Sequence, residues 1–229
     1  MSRNWKKAFR SFYYENAPEP DDIVLTTKET ALLVIDVQNT YLEVPNDVIE
    51  AQRWAPFFTR MNNIVIPNCK KAIEDARSRG VEVIFARISC QTEDGRDRSL
   101  SQKKPGFNNL LLPKDQESSQ IVNELSPQGD EITILKTTDS ALTGTNLRLI
   151  LHNLGVKNVV VTGIFTDQCI SSTVRSLADE SFNVIVVEDC CAAATDELHQ
   201  NELKIINMIY CHVVRRSDLT GFYSVGNVD

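Results

Sequence analysis

The chain alternates short, continuous apolar runs with longer stretches in which apolar residues recur every three or four positions. The runs are TALLVIDVQ (30–38), VEVIFARIS (81–89), EITILK (131–136), KNVVVTGIF (157–165), NVIVVEDCCAA (183–193) and CHVV (211–214). Runs of this length and composition are what strands buried on both faces of a parallel sheet require. Helical spacing marks 56–80, 144–155, 169–182 and 196–210, with Gly80 and Gly155 as stop signals. Pro67 falls inside the first of these and predicts a kink or a restart. Strands alternating with helices imply right-handed βαβ units. The predicted fold class is therefore α/β, a three-layer α/β/α sandwich around a mostly parallel sheet of about six strands.

Two segments break the alternation. Residues 1–28 are polar and proline-bearing and read as an N-terminal arm, with a helical turn near WKKAFRSFYY. The arm is expected to pack on the domain or on a neighbouring subunit, and residues 29–229 form the single domain. Residues 90–119 carry no clear period, and so long a loop in a compact domain is usually functional or disordered.

Composition narrows the classes. The hydrophobic fraction is 42% and the charged fraction 24%, ordinary for a soluble globular enzyme. No apolar run approaches the roughly 20 residues of a membrane helix. The N-terminal stretch lacks the apolar core of an export signal, so a cytoplasmic location is expected, with no membrane partner. A net charge of −7 argues against nucleic acid as a partner. The six cysteines are expected as thiols, because a chain this long needs no disulfide staples. His152, His199 and His212 do not sit at zinc-site spacing, so neither a metal nor a cofactor is expected.

Parallel sheets place their chemistry at the carboxyl ends of the strands. Three reactive side chains fall there. Asp36 ends the first run, Lys136 ends EITILK, and Cys169 follows VVTGIF and opens a helix. Each alone is more often a cap, a solvated ion or a packing residue. Together they offer a nucleophile, a base and a cation. A helix N-terminus and Lys136 favour the thiolate, and Asp36 can accept the thiol proton. Backbone amides at the helix start, that of Cys169 and one just before it, can form an oxyanion hole. Such a set suits acyl transfer followed by thioester hydrolysis. Asp36 would protonate the leaving amine and then activate water.

Three blocks make the resemblance specific: ALLVIDVQNTYL (31–42), VEVIFARIS (81–89) and the stretch from ILKTTDSALTG through VVVTGIFTDQC to VEDCCAA (134–193). The chain resembles the isochorismatase-like cysteine hydrolase superfamily over about residues 28–215. The resemblance implies Asp36 as general base and acid, Lys136 as its electrostatic partner and Cys169 as nucleophile. It also implies a non-proline cis peptide at Ile164–Phe165, with the amides of Phe165 and Cys169 as oxyanion donors. Nicotinamidases carry a D-x-H…H metal motif after the second strand, whereas ARISCQTEDGRDRS here has no histidine. Isochorismatases proper lack the cysteine. TEDGRDRSLSQK (92–103) resembles a loop of members acting on ureido or carbamoyl compounds, and offers Arg96, Arg98 and Lys103 to a substrate carboxylate.

Of these three, Arg98 is taken as the substrate-binding candidate. Gln38, Asn39, Tyr41, Gln91 and Thr166 are further pocket candidates, with Leu142 and Phe165 as apolar walls. His199 is expected at the surface or an interface, and the remaining cysteines in structural roles. The resemblance also implies a homo-oligomer, dimer or tetramer. The expected function is metal-independent hydrolysis of an amide, ureido or carbamoyl C–N bond of a small molecule, through a thioester, releasing ammonia or an amine. The alternatives are a nicotinamidase- or isochorismatase-type hydrolase of the same fold, and a non-catalytic binding member.

Overall fold

The structure is a computed structural model that describes residues 4–224. Residues 1–3 of the arm and 225–229 of the domain lie outside the described residues. Among the described residues, six parallel strands form one sheet: β1 (Thr30–Ile35), β2 (Glu82–Ile88), β3 (Ile132–Lys136), β4 (Asn158–Ile164), β5 (Asn183–Ala192) and β6 (His212–Val214). Their order is β3-β2-β1-β4-β5-β6. Leu33 of β1 is flanked by Ile84 of β2 and Val161 of β4, which fixes the central register.

All six residues of β1 are buried, because the sheet is covered on both faces. Leu32 and Val34 enter one core with Phe57, Met61, Cys69 and Ile73, from α1 (Val48–Arg60), the π-helical turn Met61–Val65 and α2 (Ile66–Arg79). Ala31, Leu33 and Ile35 enter the other. There they meet α3 (Leu147–Asn153), α4 (Ser171–Asp179) and α5 (Asp196–Ile206). A short helix, α6 (Arg216–Leu219), returns to the first face through Leu219. None of the described helices is long and apolar enough to cross a membrane.

The first helix begins at Val48, eight residues before the expected start at 56. Asp47 caps it, its carboxylate accepting from the amides of Ile49 (3.0 Å) and Glu50 (2.9 Å). The first-turn Val48 and Ile49 are exposed, so the apolar period is not expressed there. Pro67 stands in the first turn of α2, directly after the π-helical turn, which is the restart that the proline implied.

The arm folds against its own chain. The Trp5 ring meets His212 and Phe222 edge-on, at 5.5 and 5.7 Å. Ala8 and Phe9 are buried, and Asn207 Nδ2 donates to both of their carbonyls at 3.1 Å. Arg10 donates to the carbonyls of Lys6, Ala17 and Pro18 and gathers the arm into a compact turn.

Candidate active site

The chain runs from β1 outward through β2 and β3, then returns to the other side of β1 as β4. The crevice between the carboxyl ends of β1 and β4 is the switch point where such sheets bind ligands. Gly163 brings these strands together. Its φ is +119°, and a Cβ there would lie 1.9 Å from the carbonyl oxygen of Ile35. The Ile164–Phe165 peptide that follows is cis, as the resemblance implied. The chain then enters a π-helical turn (Thr166–Ile170) that carries Cys169 and leads into α4.

Asp36 directly follows β1 in a left-handed conformation (φ 55°), which Asp tolerates better than most residues. Its amide still donates to Ala86 (2.8 Å), so the carboxylate is set by the sheet itself. Oδ1 accepts from the Ile88 amide at 2.8 Å, and Oδ2 stands 2.7 Å from Lys136 Nζ. Lys136 is fully buried at the end of β3. Its ammonium also donates to the Thr138 carbonyl (3.2 Å) and reaches Cys169 Sγ at 3.3 Å. The three residues expected from three strand ends are thus one contact cluster.

Burial raises the Asp36 carboxyl above its ordinary pKa, and the Lys136 charge only partly offsets this. Burial works against the Lys136 ammonium, but Asp36 and then Cys169 outweigh it, and its pKa rises. Burial and then the Asp36 charge push the Cys169 thiol well up, against the pull of Lys136. This corrects the expectation of a favoured thiolate. The site holds a neutral thiol beside a carboxylate whose own ion pair is dry.

The other expected site residues divide. Tyr41 turns to the cluster. Its phenol is raised well above its usual pKa by burial, then by the charges of Asp36, Cys169 and Asp139. Its ring meets Phe165 edge-on at 5.4 Å, and Phe57 and Trp54 pack on the same ring at 5.2 and 6.2 Å. Leu142 is buried in the same core as Cys169. Thr166 is buried, and its hydroxyl lies 2.7 Å from His199 Nδ1.

Gln38 is committed elsewhere. Its Nε2 donates to the carbonyls of Ile88 (2.9 Å) and Ser119 (2.8 Å), and its Oε1 accepts from the Ile88 amide (2.9 Å). Asn39 donates to the Glu117 carbonyl (2.9 Å). Gln91 is exposed, its amide held by Asp97 at 2.8 Å. The Arg98 guanidinium donates to the carbonyls of Gly95, Gln102 and Leu110 and to Asn109 Oδ1, so it knits the 90–119 loop. Arg96 pairs with Asp94 at 3.1 Å, and Lys103 donates to the Arg96 carbonyl at 2.7 Å. The structure thus spends Gln38, Asn39 and Arg98 on scaffolding and does not bring Gln91 into contact with the triad.

Two features escaped the sequence reading. Asp139, on the loop after β3, places Oδ1 3.9 Å from Cys169 Sγ. Its position three residues past a strand end was the available signal. His199 is fully buried, which corrects the surface expectation. With Leu203 and Ile206 it forms the i, i+4, i+7 stripe of α5, which could have been read as core. Its Nε2 lies 2.8 Å from an Arg60 nitrogen, which can only donate, so Nδ1 carries the proton and donates it to Thr166. Burial, then the Arg60 charge, lowers the His199 pKa to about 3.

Asp139, with Oδ1 3.9 Å from the thiol, also lines an open cleft of about 600 Å³ together with Gln168, Ser171 and their neighbours. A larger recess, about 720 Å³, lies at the amino ends of β4, β5 and β6 against residues 20–24, at the end of the sheet away from the triad. Among the described residues no group of three His, Cys, Asp or Glu side chains is arranged to hold a metal. All six cysteines are buried free thiols, and Cys69 Sγ donates to the Cys190 carbonyl at 3.4 Å.

The family model for the isochorismatase domain matches residues 30–218. The chain is 32% identical over 197 residues to the ureidoacrylate amidohydrolase RutB of Pantoea ananatis (strain LMG 20103), covering 80% of this chain and 77% of that one. It is 33% identical over 176 residues to an Arabidopsis thaliana protein named "Probable inactive nicotinamidase", covering 75% and 85%. Among solved structures, an isochorismatase family protein from Desulfovibrio vulgaris matches with a TM-score of 0.70 at 24% identity, over 84% of this chain and 97% of that one. That likeness speaks to the fold, and the sheet and its helical layers agree with it. By the match over most of its length, the chain belongs to the isochorismatase family, among the isochorismatase-like cysteine hydrolases.

Proposed function

We propose that the protein is a cysteine amidohydrolase that cleaves an amide, ureido or carbamoyl C–N bond of a small molecule and needs no metal for the reaction. The observation that carries this reading is the Lys136 ammonium, 2.7 Å from the Asp36 carboxylate and 3.3 Å from Cys169 sulfur in a buried crevice. The relatives named ureidoacrylate amidohydrolase support the bond type.

In this mechanism Cys169 Sγ attacks the substrate carbonyl carbon as Asp36 takes the thiol proton. The raised pKa of Asp36 makes it a better base than an exposed carboxylate. The amides of Phe165 and Cys169 receive the oxyanion. Asp36 returns the proton to the leaving nitrogen, the C–N bond breaks, and ammonia or an amine departs from a thioester. Water, deprotonated by Asp36, then attacks the thioester and frees the thiolate, which takes the proton back. Lys136 stays charged throughout and holds Asp36 in place. Tyr41, Leu142 and Phe165 form the pocket wall beside the sulfur.

The test is ammonia release from a panel of ureido, carbamoyl and primary amide compounds by wild type and Cys169→Ala, with hydroxylamine added to trap the thioester. The expected result is turnover of at least one class, a trapped hydroxamate from an amide or an N-hydroxyurea from a ureido or carbamoyl compound, and a loss of at least ~10³ in kcat/KM for Cys169→Ala. Turnover that survives Cys169→Ala would move the assignment to chemistry without a thioester. No turnover of any class, with no adduct at Cys169, would favour the non-catalytic reading that the Arabidopsis relative's name carries.

A further inference from the structure

We propose that Asp139 selects the charge of the substrate: a site with this carboxylate 3.9 Å from the Cys169 sulfur takes an uncharged or cationic ureido or carbamoyl compound and disfavours one that carries a carboxylate. This rests on the amidohydrolase reading above and narrows its substrate class.

The argument is an inventory of charge at the cleft. Asp139 Oδ1 lies 3.9 Å from the sulfur, and the same residue lines the open cleft. Any group bound for attack at Cys169 is therefore within a few ångströms of this carboxylate. Asp167 lines the same cleft, and its Oδ1 is buried without a hydrogen-bond partner. Two acceptors thus await donors. The cations that would balance them are already committed. The three donors of the Lys136 ammonium are directed at Asp36, Cys169 and the Thr138 carbonyl. Among the described residues lining the cleft the one cationic side chain is Arg175. It donates to Glu202 (3.2 Å) and Ser171 (3.2 Å) and lies over the Tyr210 ring at 4.6 Å. The loop cations Arg96, Arg98 and Lys103 bind Asp94 and backbone carbonyls.

A substrate carboxylate in this cleft would face Asp139 and Asp167, and Arg175, the cation of the lining, is already paired with Glu202. A terminal ureido NH₂ or an ammonium would instead donate to them, and hydrogen bonds to charged groups are the strong ones. The named substrate of the ureidoacrylate relatives carries a carboxylate, so this chain would part from them in substrate while sharing the attacking group.

The test measures protection of Cys169 from iodoacetamide by three ureas of matched size: propylurea, N-(2-aminoethyl)urea and 3-ureidopropionate. Peptide mass spectrometry reads the alkylation, so the answer does not depend on turnover. Wild type, Asp139→Asn and Asp139→Ser are compared, with ammonia release recorded in parallel. The expected result is that the neutral and cationic ureas protect wild type 10- to 100-fold better than the anionic one, on the order of one charged hydrogen bond. Both variants should shift the cationic-to-anionic ratio by about tenfold towards the anion. Better protection by the ureido acid, no protection by the neutral and cationic ureas at millimolar concentration, or an unchanged ratio in both variants would overturn the proposal. Such a failure, with activity still lost in Cys169→Ala, leaves the amidohydrolase reading standing. Activity retained in Cys169→Ala removes that reading instead.

Discussion

Cys169 keeps its proton because the charges around it do not balance. Burial and Asp36 act against the thiolate, and Lys136 alone favours it among the larger contributions. In the proposed mechanism reactivity therefore depends on proton transfer to Asp36 during attack rather than on a standing thiolate. The Asp36–Lys136 pair that makes this possible is buried and expensive to break. Lys136→Ala should cost about 3–5 kcal/mol, read from urea denaturation, because it leaves Asp36 without its counter-ion. Gly163 imposes a different demand. Gly163→Ala would drive a Cβ into the Ile35 carbonyl and must part β1 from β4. It should cost more than about 2 kcal/mol and blunt Cys169 alkylation. Gly80→Ala, at a left-handed position with open space, should cost only about 1–2 kcal/mol and leave Cys169 untouched. Equal losses at the two glycines would contradict the close approach of the strands.

Three elements meet through Arg60, His199 and Thr166. Arg60 ends α1, His199 lies on α5, and Thr166 opens the turn that carries Cys169. Arg60 also donates to the carbonyls of Cys191 (3.1 Å) and Glu188 (3.2 Å), so the end of β5 joins the same knot. This network needs His199 neutral. Its folded pKa, about 3, lies below the unfolded value near 6.5. Between those limits the unfolded chain binds the proton and the folded one does not. The stability from neutral His199 is therefore complete above pH 6.5 and is lost as pH falls towards about 3. The loss approaches about 1.4 kcal/mol per unit. Denaturation midpoints between pH 7 and pH 4 should fall more steeply in wild type than in His199→Gln. Parallel pH dependence in the two proteins would show that the buried ring is not the group that titrates.

Strand ends were legible because a parallel sheet buried on both faces leaves a continuous apolar run, and a reactive residue stands at or just past the end of three of these runs. Asp36, Lys136 and Cys169 could be read that way, and the structure brings them into contact. Hydrogen-bond partners across the chain could not. Gln38 and Arg98 look like pocket residues in sequence, and only the folded path of the chain shows the Gln38 amide spent on Ile88 and Ser119 and the Arg98 guanidinium on carbonyls of the 90–119 loop. The thiol's direction of shift was likewise hidden, since a helix start and a lysine argue for a thiolate until burial is known. His199 was misread because its stripe on α5 was not followed to the core. The start of α1 was lost to an exposed first turn.

The most direct test of the triad is the pH dependence of Cys169 alkylation by iodoacetamide, followed by peptide mass spectrometry in wild type and Asp36→Asn. The wild-type midpoint should lie above the ordinary thiol value of about 8.5. Asp36→Asn should lower it, since Lys136 then faces the sulfur without the carboxylate, while hydrolysis falls for want of a base. A wild-type midpoint at the ordinary value, unmoved by Asp36→Asn, would mean that Asp36 does not act on the sulfur and that Cys169 is a buried thiol with no part in catalysis.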